Sequence, residues 1–183
     1  MKKRCTIAVF LVLFMINAQS QEFRKPDVSP MDAAYYPDNF AHDRKAGEKP
    51  LIKVTYSRPS KKDREIFGKL VPYGQVWRTG ANEATEIKFY ADAVIGGKKV
   101  KAGTYSLFTI PGEKEWTIIL NTDLDYWGAY SYKQEKDVLR VTAPAAKSDS
   151  TIENFSIQFA KSDDGAIMRL GWDNTVVNVP VKF

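Results

Sequence analysis

From Leu51 onward the chain alternates between apolar and polar residues, and this alternation limits its fold more than any other feature. Ile52, Val54 and Tyr56 fall on one face, with Lys53 and Thr55 on the other; Phe155, Ile157 and Phe159 repeat the pattern against Asn154, Ser156 and Gln158. A period of two fits a strand with one buried face and no helix. Ile87 and Phe89 read the same way, as do Trp116, Ile118 and Leu120, and Leu139, Val141 and Ala143.

Turn signals separate these runs. Ile95-Gly96-Gly97-Lys98 predicts a two-residue hairpin, because two glycines can both take positive φ. Pro111-Gly112-Glu113-Lys114 joins a strand at Gly103–Ile110 to one at Trp116–Leu120, and Asp163-Asp164-Gly165 predicts another hairpin. Residues 61–68 read as a short helical turn or loop, and Pro144–Ser150 as a connector. Thr175–Phe183 reads as a separate last strand, with Pro180 suggesting an edge position. Eight or nine short strands without a useful amphipathic helix predict an all-β, single-domain antiparallel β-sandwich. Barrel-like closure is the alternative.

The N-terminus reads as an export signal. Lys2, Lys3 and Arg4 precede the apolar run Thr6–Ile16, and Ala18-Gln19-Ser20 resembles a cleavage site, so cleavage is expected before Gln21. The protein is then periplasmic or extracellular, with no membrane span after signal cleavage. The expected organisation is a signal peptide over 1–20, a partly docked N-terminal arm over 21–50 and the sandwich over 51–183. The formal charge is +5, and losing three basic residues with the signal leaves +2. Near-neutral charge without a basic run argues against a nucleic-acid partner. Cys5 is the single cysteine, so the exported part must rely on its core rather than on disulfides.

Much enzyme chemistry is missing. There is no dinucleotide, P-loop or nucleophile-elbow motif. A single histidine, His42, excludes a multi-histidine zinc site and argues against a Ser-His-Asp triad. No cofactor and no metal site are expected.

Two irregular stretches remain. In Val71–Thr85 (VPYGQVWRTGANEAT), Gly80, Ala81 and Ala84 would admit a close backbone or ligand, and Trp77, Arg78, Asn82 and Glu83 could form a polar pocket. The competing reading is a buried ion pair of Arg78 with Glu83 or Glu86, with Trp77 in the core. In Asn121–Lys136, Asp125, Trp127 and Tyr130 could stack on and hydrogen-bond a sugar-like ring, or the loop's aromatics could close an open end of the sandwich. Glu83 with Asp123 or Asp125 could supply two carboxylates for hydrolysis. Three functions follow: a module binding a small polar or carbohydrate-like ligand, an assembly module for an envelope protein partner, and a carboxylate-dependent hydrolase.

Several strings occur together: YSRPS at 56–60, REIFG at 64–68, VPYGQVWRTGANEAT at 71–85, IGGKKVKAGTYSLFTIPGEKEWTIILN at 95–121 and WGAY at 127–130. With SPMDAAYYPDNF at 29–40, they resemble a family of secreted domains of unknown function abundant in Bacteroidota. Asp63 stands where the resemblance leads one to expect glycine. The resemblance implies an exported β domain and carries no catalytic residues with it.

Overall fold

A computed structural model describes residues 23–183; the expected signal segment and its cleavage point lie outside them. The described chain forms nine strands: β1 (Met31–Tyr36), β2 (Ile52–Ser57), β3 (Thr85–Phe89), β4 (Ala93–Ile95), β5 (Lys98–Val100), β6 (Gly103–Ile110), β7 (Glu115–Asn121), β8 (Asp137–Ser162) and β9 (Gly165–Lys182). They make one antiparallel sheet in the order β1-β2-β3-β6-β7-β8-β9-β4-β5, which is not closed into a barrel.

The long strand β8 turns this sheet into two layers. Its first part pairs with β7, up to Glu115↔Pro144. From Ala145↔Val177 onward it pairs with β9. The expected connector at 144–150 is therefore strand. Pro144 has no N–H to donate, and it stands where β8 exchanges one partner for the other. The last two expected strands are likewise one, β9, which carries Asp173 at φ 54° where they were expected to part. Nor does Pro180 mark an edge strand, since β9 lies between β8 and β4. It falls between the last β8 partner, Val177, and the first β4 partner, Val181, where no ladder bond needs its missing N–H.

Alternation puts one main core between the layers. Ile52, Val54, Ile87, Trp116, Ile118 and Leu120 face Phe155, Ile157, Phe159, Met168, Leu170 and Trp172 within it. Tyr56 ties the layers together: its hydroxyl donates to the Ile157 carbonyl (3.2 Å) and accepts from the Ile157 amide (3.0 Å). A smaller cluster covers the outer face of the first layer, where Phe108 and Ile119 meet Val76, Tyr126 and Tyr132. β6 and β7 are buried on both faces, with Leu107, Ile118 and Leu120 in the main core and Phe108 and Ile119 in the outer cluster.

The arm contributes β1, which pairs with β2 from Met31↔Ser57 to Tyr36↔Ile52. Residues 61–68 form turns rather than a helix, closed by a bridge between Phe67 and Val71. Among the described residues no helix is long and apolar enough to cross a membrane.

Candidate functional site

The loop before β3 is fixed residue by residue. Trp77 exchanges two backbone hydrogen bonds with Thr109 of β6, at 2.7 and 3.0 Å. Its indole N–H donates to the Gly80 carbonyl at 3.1 Å. Its ring is 9% exposed, stacks on Trp172 at 6.0 Å and meets Phe155 edge-on at 5.1 Å. Such aromatic pairs add about 0.5–1.5 kcal/mol each beyond the area they bury. Trp77 thus anchors the loop in the core.

Thr79 has φ 56°, a costly conformation for a β-branched residue. Two contacts hold it there: Thr85 Oγ1 donates to the Thr79 carbonyl (2.6 Å), and the Thr79 hydroxyl donates to Thr109 Oγ1 (3.1 Å). The small residues serve close approach, as their size predicts. A Cβ on Gly80 would stand 3.0 Å from the Ser57 carbonyl oxygen, and Ala84 is buried under the aromatic loop.

The two irregular stretches meet. The Ala84 amide donates to the Tyr126 carbonyl and the Gly128 amide to the Asn82 carbonyl, both at 2.9 Å, and Glu83 bridges Trp127. The aromatics of 121–136 divide by role. Tyr126 and Tyr132 pack on Phe108 with ring centres 5.7 and 5.1 Å away, covering the outer sheet face rather than an open end. Trp127 and Tyr130 stay 61% and 84% exposed.

This junction separates two cavities. The larger has a volume of about 640 Å³, and its lining includes Trp77, Arg78 and Tyr130 together with Lys62, Arg64 and Trp172, with Val28 and Ser29 of the arm along one side. The smaller, about 320 Å³, is lined by Glu83, Asp125, Trp127, Glu86, Tyr126, Met31, Thr55 and Ala84. The seven expected residues therefore split: three on the larger cavity, three on the smaller, and Asn82 at the junction between them. Asn82 donates its side-chain amide to Asp27 Oδ1 at 2.9 Å.

The cavities differ in charge. The larger has three cationic residues in its wall and no Asp or Glu; the smaller has three carboxylates and no Lys or Arg. Arg78 forms no ion pair among the described residues, so the expected pairing with Glu83 or Glu86 is not made. Its Nε is buried and has no hydrogen-bond partner. Arg64, by contrast, is held by main-chain carbonyls, donating from Nε to Lys61 (3.1 Å) and from Nη2 to Ser60.

Asp123 belongs to neither cavity. Its Oδ2 accepts from the Tyr126 hydroxyl at 2.7 Å and its carbonyl from Ser106 Oγ at 2.7 Å. Burial, reinforced by this carboxylate, pushes the Tyr126 hydroxyl up to about 12. Of the expected acid pairs, only Glu83 with Asp125 shares a cavity. Among the described residues no group of three or more His, Cys, Asp or Glu could hold a metal ion.

The sequence pattern does not mark Lys62, Arg64, Trp172 or the arm residues as neighbours of the larger cavity. Trp172 and the arm residues lie far from Arg78 along the chain and reach it through the strand order, whereas Lys62 and Arg64 belong to the same β2–β3 connection, which folds back on itself.

Residues 38–181 match the family described as protein of unknown function, DUF2911. The chain belongs to that family. No curated protein and no solved structure matches it. The family match runs from just after β1 almost to the end of β9 and includes both irregular stretches, so the cavities lie largely on family sequence.

Proposed function

We propose that this DUF2911 protein is an exported ligand-binding module that holds a small polar molecule in the larger cavity, between the arm and the Trp77–Ala81 turn. One observation carries this reading: Arg78, half-buried and without an acidic partner among the described residues, stands in the wall of the larger of the two cavities. An arginine serving stability alone ordinarily has its buried N–H groups hydrogen-bonded. Arg64 has its carbonyl partners, and Arg78 Nε has none among the described residues. A volume of about 640 Å³ lies within the ordinary range for small-molecule sites, and Trp77 and Tyr130 supply aromatic walls.

Thermal-shift screening against sugars, peptidoglycan fragments and organic acids tests it. A ligand at about 100 times its Kd adds roughly 2.7 kcal/mol, which raises the midpoint by several degrees at this chain length. The expected hit loses its effect in Arg78→Gln. A flat panel, or a hit indifferent to Arg78→Gln, would count against the site.

A second reading rests on Glu83 and Asp125 lining the smaller cavity beside the exposed Trp127. That arrangement suits a carboxylate-dependent hydrolase. It predicts turnover of a glycoside that Glu83→Gln abolishes; wild-type turnover surviving in that variant would end it.

A further inference from the structure

We infer that the ligand of the larger cavity is an anion, a carboxylate or phosphate group carried on a compact apolar body. This rests on the proposal that the cavity is a binding site, and it goes on to name the class of molecule.

The charge argument comes first. Lys62, Arg64 and Arg78 share one concave wall without a carboxylate, although the whole chain has 22 acidic residues. Of the acids near this region, Glu153 Oε1 accepts from the Lys62 main-chain N–H (2.9 Å), Asp173 stands 3.8 Å from Lys61 Nζ, Asp27 accepts from Asn82 and Ser29, and the exposed Asp63 and Glu65 lie outside the cavity wall. A concavity with low-dielectric walls focuses the field of its charges. A neutral sugar would displace water from the half-buried Arg78 and leave it uncompensated, with the exposed Lys62 and Arg64 still facing the same space. An anion would satisfy all three.

The donor argument follows. Arginine presents a planar fork that matches the paired oxygens of a carboxylate or phosphate. Arg78 Nε has no acceptor among the described residues, while the Arg78 backbone is locked on both sides by the Trp77–Thr109 bridge and the bond from the Thr85 amide to the Arg78 carbonyl (3.1 Å). The two main-chain carbonyls that hold Arg64 fix its direction without neutralising it. Lys62 forms no ion pair among the described residues. The rest of the wall is largely apolar, with Pro59, Val71, Val76, Trp77 and Trp172, so a bare inorganic ion would leave most of the space wet.

The test is titration of the full chain with benzoate, phenyl phosphate, inorganic phosphate, benzyl alcohol and glucose. Binding is followed by calorimetry and by the NMR signals of the Arg78 Nε–H and the Trp77 indole. Benzoate or phenyl phosphate should bind and move both signals, and which of the two binds tighter separates carboxylate from phosphate. Hydrogen bonds to a charged group are worth about 1.5–3 kcal/mol, so Arg78→Gln should weaken binding about tenfold to a hundredfold. Arg78→Lys should recover only part of that loss, and the exposed Lys147→Gln should change nothing. Inorganic phosphate binding as tightly as phenyl phosphate would overturn the apolar body. Benzyl alcohol or glucose binding as tightly as benzoate, while moving the Arg78 signal, would overturn the anion and leave the cavity as a binding site. No movement of either signal with any probe would overturn both the anion and the site.

Discussion

The Asn82 side-chain amide donates to Asp27 Oδ1 at 2.9 Å and ties the N-terminal arm to the turn that carries Arg78. Asp27 also accepts from the Ser29 amide at 2.7 Å. The Ser29 bond first, and Asn82 second, hold its carboxyl below the ordinary 3.8. A carboxyl lowered in the docked state contributes while ionised, and its contribution is lost as pH falls through the lowered value. The tether should therefore persist through neutral pH and release only below 3.8. Asn82 sits at φ 59°, so Asn82→Gly preserves the backbone and removes only the tether. In that variant Asp27 should titrate nearer its ordinary value and the Val28 and Ser29 amides should exchange faster, with little change in melting. An unaltered Asp27 titration would show that the contact is not made in solution.

Arg78 gives a prediction that runs against intuition. Breaking a buried ion pair usually costs about 3–5 kcal/mol. Here there is no acidic partner among the described residues, and an unpaired donor is already buried. Arg78→Met keeps the length of the side chain and removes that penalty. Its stability in urea should equal or exceed the parent's by up to about 1–2 kcal/mol. A loss of about 3 kcal/mol or more would mean that Arg78 is a structural residue.

What the sequence could reveal follows from distance along the chain. Strand alternation and the hairpins are local, so the sequence alone could place Phe155, Ile157 and Phe159 on a buried face, and Gly96 and Gly97 at positive φ. Trp77 could be recognised as an anchor because its small neighbours mark a tight turn. The division of the candidate residues between two cavities could not be read. It depends on Asn82 and Gly128 closing one junction across a span of chain that includes β3 through β7. Nor could the continuity of β8 through Pro144, because a proline reads locally as a break even where a strand exchanges partners.

Two tyrosines predict the alkaline limit of the outer cluster. Burial comes first, then the bonds from Tyr126 to Asp123 (2.7 Å) and from Tyr132 to Asp137 (2.5 Å), and each hydroxyl is pushed up to about 12. A group whose folded pKa is raised stabilises fully below its unfolded value and loses that contribution as pH rises through the folded one. Stability should therefore decline between pH 10 and about 12. Phenolate absorbance followed with near-ultraviolet circular dichroism checks this. Asp123→Asn should move the Tyr126 step downward, leaving burial alone to hold it up. Phenolates from both residues below pH 10 with the loop still ordered would contradict the assignment.

Gly128 links backbone conformation to the larger cavity. It has φ 71°, and a Cβ there would stand 2.7 Å from Tyr130 Cε2 and 3.1 Å from Arg78 Nη1. Gly47, at φ 84°, has nothing within 4 Å of its Cβ position and so isolates the backbone cost. Gly47→Ala should lose about 1 kcal/mol at most, from strain alone. Gly128→Ala bears the same strain and must also displace both side chains. Tyr130 is 84% exposed and can swing away cheaply, whereas the half-buried Arg78 must give by a few tenths of an ångström within its packed surroundings. The Gly128 variant should therefore lose about 1–2 kcal/mol, a fall of roughly 2–8 °C in Tm. It should also shift the Arg78 Nε–H signal without ligand, which Gly47→Ala leaves in place. Equal effects from the two variants would mean that Gly128 serves its turn and has no bearing on the placement of Arg78.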